Sequence, residues 1–129
     1  QAFESHLLQT EGHVTRLETI FGQLNKNPKA ETCDAMKGLV SEGEDMVSYI
    51  AESPLRDAGL IAAADRVEHY EIAAYGSART FAQALGLAGA AALLEQTLNE
   101  EKEADHKLTQ LAQSMVNAEA LRSGALAHR

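Results

Sequence analysis

Tryptophan is missing from this 129-residue chain, and aromatic residues make up only 5% of it. Any core must therefore be packed by aliphatic and alanine side chains. There are two prolines, and this Ala-rich, Pro-poor composition favours helix over sheet. A single cysteine, Cys33, excludes an internal disulfide framework and a Cys-rich zinc site. It also points to a reducing compartment. Basic residues are few: 11 Lys and Arg stand against 19 Asp and Glu, a formal net charge of −8. That balance argues against nucleic acid and anionic membrane surfaces, both of which call for a basic face. No apolar run is long and charge-free enough to span a bilayer, and no signal peptide is visible. A cytoplasmic protein with no membrane partner is the expectation. The chain opens on Gln1, already within or beside a helix, and is expected to be a fragment or a processed chain.

Hydrophobic residues make up 45% of the chain, enough for one packed domain over residues 1–129. Spacing predicts a helix from Ala2 to Asn25 with a seam of Phe3, Leu7, Thr10, Val14, Leu17, Phe21 and Leu24. Asn25-Lys26-Asn27-Pro28 stops it. A second helix is predicted from Glu31 to Ala51. Ser53 as cap and Pro54 at the first helical position start a third, which runs to Leu85 and ends at Gly86. A fourth runs from Ala88 to about Asn117, and residues 118–129 form a partly frayed tail. The Glu31–Ala51 helix is either a fourth bundle member or a crossover element.

The unusual feature is acid on the apolar stripes. The third helix carries the seam Leu60, Ala64, Val67, Glu71, Ala74, Ala78, Phe81, Leu85. The fourth carries Leu94, Leu98, Glu101, Asp105, Leu108, Ala112. A buried carboxylate must be neutral, paired or cation-bound, because an isolated buried charge is very costly. Glu68 lies one turn before Glu71, and Glu11 flanks the first seam at Thr10. Carboxylates converging from three helices suit hard cations such as iron or manganese. Glu18, Glu95, Glu100 and Glu103 are expected on solvated faces. His6 and His13 lie seven apart on the opposite flank of the first helix from Glu11, as outer partners of a site or exposed. His69 and His106 should point away. Cys33 is expected to be a buried structural thiol, and Tyr70 and Tyr75 flank the acids.

Several segments are familiar. Ala2-Phe3-Glu4-Ser5-His6-Leu7, Thr10-Glu11-Gly12-His13-Val14 and Arg16-Leu17-Glu18 are among them. So are Cys33-Asp34-Ala35-Met36, with Gly38-Leu39, and Arg56-Asp57-Ala58-Gly59-Leu60-Ile61-Ala62-Ala63-Ala64. Val67-Glu68-His69-Tyr70-Glu71-Ile72-Ala73, Tyr75-Gly76, and Leu98-Asn99-Glu100-Glu101-Lys102 with Asp105 complete the set. Together, over nearly the whole chain, they resemble the ferritin-like YciE/YciF stress-protein family. The resemblance implies an all-α, ferritin-like helical bundle of antiparallel helices with an additional helix in the crossover. It also implies a homodimer or higher homo-oligomer and a di-iron or manganese carboxylate site. The ligand candidates it carries over are Glu11, Glu68, Glu71, Glu101 and Asp105. Val14 and Ala104 stand where many ferritin-like proteins place histidine, and Asp105 substitutes on the fourth helix. The family begins with a further helix carrying another Glu, which this chain lacks. Closure of the bundle is then expected from the crossover helix, from a second subunit, or from a helix removed after assembly. Two functions follow as expectations. One is a di-metal protein handling iron, manganese or peroxide under stress. The other is a metal-poor structural or interaction protein on the same scaffold.

Overall fold

A computed structural model describes the backbone of residues 2–127 and the side chains of residues 3–124. All regular structure among them is helical: α1 (Ala2–Gln23), α2 (Asp34–Tyr49), α3 (Pro54–Ala84), α4 (Ala88–Leu111) and α5 (Asn117–Ala127). A π-helical turn, Ala112–Val116, joins the last two. The predicted frayed tail is thus helical to Ala127, while His128 and Arg129 lie outside the described residues. No described helix is long and apolar enough to cross a membrane.

The helix ends follow local chemistry. Asn25 adopts φ 53°, and the Lys26 amide reaches back to the Phe21 carbonyl at 2.9 Å. Gly86 does the same at φ 71°, with the Leu87 amide on the Ala82 carbonyl at 2.9 Å. Both are left-handed stops that satisfy carbonyls orphaned at a helix end. Ser53 Oγ accepts from the Arg56 amide at 3.3 Å, capping α3 ahead of Pro54.

The chain divides into two compact units, residues 1–32 with 71–104 and residues 33–70 with 105–129. In the first, the short turn after Ala84 sets α3 and α4 antiparallel, and Arg79 bonds Glu95 at 2.6 Å. α1 is also antiparallel to α4. Arg16 lies beside Thr97 and Glu100, while Gln23 lies so near Gly89 that a Cβ there would sit 3.1 Å from its Oε1. α1 and α3 therefore run parallel, which requires a crossover, and α2 lies in that crossover. Ile20, Ala82, Ala90, Ala91 and Leu94 form the core, with Leu17, Tyr75, Ala78, Leu87 and Leu93 packed around it.

In the second unit α2 runs antiparallel to the first half of α3, with Arg66 3.6 Å from Glu42 and Tyr70 Oη 3.1 Å from Cys33 Sγ. Met46 crosses close over Gly59, where a Cβ would meet its sulfur at 2.9 Å and push that flexible side chain aside. Ile61, Leu108 and Val116 are the buried core. Cys33 is exposed rather than buried, and its thiol caps α2 by accepting from the Met36 amide at 3.5 Å. The Tyr70 hydroxyl, and then that amide, hold the thiol below its usual pKa.

The predicted α1 seam faces the core only in part: Leu17 packs against it, but the seam's first half turns outward. Phe3, Leu7 and Val14 are 51%, 60% and 54% exposed. The inward face is rotated by about one residue, roughly 100°, and carries His13, Arg16, Leu17 and Ile20. The physical reason is that His13 and Arg16 find carboxylates on α4, so the polar flank is the one satisfied by burial. At the end of α3, likewise, Phe81 is exposed while Ala82 is buried, and Leu85 just beyond the helix is exposed too.

Candidate metal centre

Four side chains each offer a ligand atom, all within 4.8 Å of one another: His6, Glu68, Glu71 and Glu101. His6, Glu71 and Glu101 come from α1, α3 and α4 within the first unit, and Glu68 precedes Glu71 by one turn of the continuous α3 helix. Glu101 is fully buried and Glu68 is 3% exposed. At an effective dielectric near 20, two carboxylate charges at this spacing repel by about 3 kcal/mol. Three ionised carboxylates therefore require a positive charge among them. Oxygen-rich donors with one imidazole suit iron or manganese, so these residues fit such an ion.

A polar chain holds the α4 side of this group. His13, only 2% exposed, places Nε2 2.9 Å from Glu100 Oε2 and Nδ1 3.0 Å from Glu101 Oε1. Arg16 grips Glu100 with two bonds of 2.6 and 2.7 Å and donates a third, of 3.1 Å, to the Thr97 hydroxyl. The guanidinium, helped by His13, holds the Glu100 carboxyl down to about 2. Burial pushes the His13 pKa down. Tyr75 stacks edge-on against His13 with ring centroids 6.1 Å apart. Its burial, together with Glu71 and Glu101, raises its phenol to about 12, so it stays protonated beside the acids.

The five candidate ligands divide. Glu68, Glu71 and Glu101 come together. Glu11 is exposed and outside the group, and Asp105, in the second unit, lies 3.3 Å from His69. That exposed histidine is pushed up chiefly by donating to the Asp65 carbonyl, then by the Asp105 charge. His6, His13 and Glu100 are the residues that spacing placed less centrally. Glu100 is clamped rather than solvated, and the signal for the histidines was their seven-residue separation on one flank. Glu103 and His106 have Glu-x-x-His spacing, but both are exposed.

Comparison with known proteins agrees with this architecture. A family described as a domain of unknown function, DUF892, matches residues 1–121. Protein YciF of Escherichia coli is 46% identical over 121 residues, covering 93% of this chain and 73% of its own. The crystal structure of that stress protein superposes with a TM-score of 0.86, at 91% and 74% coverage. YcfI, a putative structural protein from Rhodopseudomonas palustris, gives a TM-score of 0.81 at 38% identity, covering 84% and 69%. The fold is accordingly all-α, a helical bundle of this kind.

Proposed function

We propose that this chain, which belongs to the DUF892 family, is a metal-binding protein of the ferritin-like, stress-response type, handling iron or manganese. The observation that carries the reading is the convergence of His6, Glu68, Glu71 and Glu101, two of them deeply buried. Glu71 and Glu101 are the central ligands, Glu68 adds charge, and His6 supplies nitrogen. Bound iron or manganese would supply redox chemistry toward peroxide. The chain's own contribution is to hold Glu101 through His13, keep Tyr75 protonated nearby, and exclude water from Glu101. The kinship to a stress protein supports the reading.

Protein purified without chelator and loaded with Mn(II) or Fe(II) should hold one or two metals per chain. Glu71→Ala combined with Glu101→Ala should hold none, as measured by elemental analysis. A wild-type protein that stays metal-free after loading would leave the second reading, a structural or interaction protein. That reading is favoured by the similarity to YcfI, a putative structural protein, and by the position of Glu11 outside the donor group.

The protein works as a homodimer in this proposal. Phe3, Leu7, Leu8 and Val14 expose an apolar stripe along α1 that a second copy would cover. Light scattering should give twice the chain mass, and Leu7→Glu should halve it. A wild-type monomer at micromolar concentration would refute this assembly.

A further inference from the structure

Within the proposed metal centre, we infer that Arg16 is a positioning residue: it locks the register of α1 against α4 and so sets how tightly the ion is held and which ion is preferred. Its hydrogen bonds go to Thr97 and Glu100 on α4, not to any of the four donors. Thr97 is 2% exposed, so the guanidinium is anchored at a deeply buried point. The two bonds to Glu100, of 2.6 and 2.7 Å, fix the plane of the guanidinium as well as its place. One turn earlier on α1, His13 lies 2.9 Å from Glu100 Oε2 and 3.0 Å from Glu101 Oε1. The clamp therefore ends against a donor.

Register matters because the donors sit on different helices. His6 belongs to α1, two turns before His13, and the two rings are 6.4 Å apart. Glu101 belongs to α4, next to Glu100. Sliding α1 by one residue moves His6 about 1.5 Å along the axis, whereas metal–ligand distances tolerate only about 0.2 Å. The apolar core does not supply that precision. Three of its five buried side chains, Ala82, Ala90 and Ala91, are too short to interlock deeply, and Ile20 is the one buried side chain that α1 adds. A clamp of three directional bonds does supply it, because α1 cannot slide without breaking them. The same rigidity bears on ion choice. Calcium accepts variable geometry at longer distances, so a frame held to one spacing loses calcium less than manganese or iron when it loosens.

The role rests on the metal-binding reading and is tested separately from it. Charge alone predicts that Arg16→Ala tightens cation binding, because a neighbouring positive charge is removed. Loss of register predicts the reverse. Calorimetric titration is done at a temperature where circular dichroism shows every variant folded. Arg16→Ala should bind Mn(II) about 30-fold more weakly than wild type, with Ca(II) affinity changed less than about 3-fold. Arg16→Lys, which keeps the charge but cannot span both oxygens, should fall between. The EPR spectrum of Mn(II)-saturated protein should broaden in Arg16→Ala, as the ion samples more than one geometry. Leu94→Ala leaves the clamp bonds in place and should hold Mn(II) as wild type does. If Arg16→Ala does not fold, Arg16→Lys carries the same comparisons. Mn(II) bound by Arg16→Ala at least as tightly as by wild type, or Mn(II) and Ca(II) weakened by one common factor, would overturn the positioning role and leave the metal site standing. So would an equal loss of Mn(II) in Leu94→Ala, since affinity would then follow stability alone. Failure of wild-type protein to bind Mn(II) would overturn both.

Discussion

Leu94→Ala is expected to lower the free energy of unfolding by about 4 kcal/mol, near the upper end for a buried leucine. Leu94 is 6% exposed, and three of the other four buried members of its cluster are alanines. Alanine side chains have no rotamers with which to fill a gap, and the helix backbones that carry them cannot close in without disturbing the α1 and α3 contacts. The cavity therefore persists, and its cost adds to the lost transfer energy. The melting temperature should fall by about 15 °C. Leu94→Met, which keeps most of the volume, should cost less than about 1.5 kcal/mol. Equal losses for the two variants in thermal unfolding would mean that shape, not volume, dominates at this site.

Arg16→Ala should cost about 2 kcal/mol at neutral pH, because His13 still holds part of the Glu100 shift, and the loss should vanish in acid. The Glu100 carboxyl is depressed from 4.5 to about 2, first by its hydrogen bonds from Arg16. A depressed carboxyl contributes stability that is fully present above its unfolded pKa and is lost as pH falls through its folded pKa. The relevant window is therefore pH 4.5 down to about 2. Within it, a shift of this size corresponds to roughly 3 kcal/mol. Glu100 is 22% exposed and Arg16 is 19% exposed, so solvent screens the pair only in part. Melting curves of chelator-treated wild-type and Arg16→Ala protein should converge between pH 5 and pH 2, with Arg16→Lys intermediate because it cannot grip both oxygens. Curves that stay parallel through that window would show that Arg16 stabilises by packing alone.

Helix starts and stops were readable because single residues set them. Ser53-Pro54 and Gly86 bound α3 where their chemistry requires. Glu71 and Glu101 were readable as anomalies because carboxylates on apolar stripes need a reason, and both join the donor group. The face of α1 was not readable. Its outer stripe is more apolar than its inner one, and pattern alone prefers the greasier side. What reverses the choice is tertiary: Arg16 and His13 meet Glu100 and Glu101 only after α4 folds alongside, 84 to 88 residues away in sequence. Cys33 misled for a similar reason, because a thiol can cap a helix as well as fill a core. The crossover was undecidable from periodicity. Direction decides it, since α1 and α3 are both antiparallel to α4.

The π-helical turn at Ala112–Val116 was also invisible, because a period of 3.6 admits no extra residue. One surplus residue taken up there turns everything downstream by about 100° without breaking the rod. Val116 faces inward beyond it, against Ile61 and Leu108. The wide turn thus acts as a phase adjuster: the segments on either side can each keep their own inward stripe, with the mismatch between them absorbed in five residues.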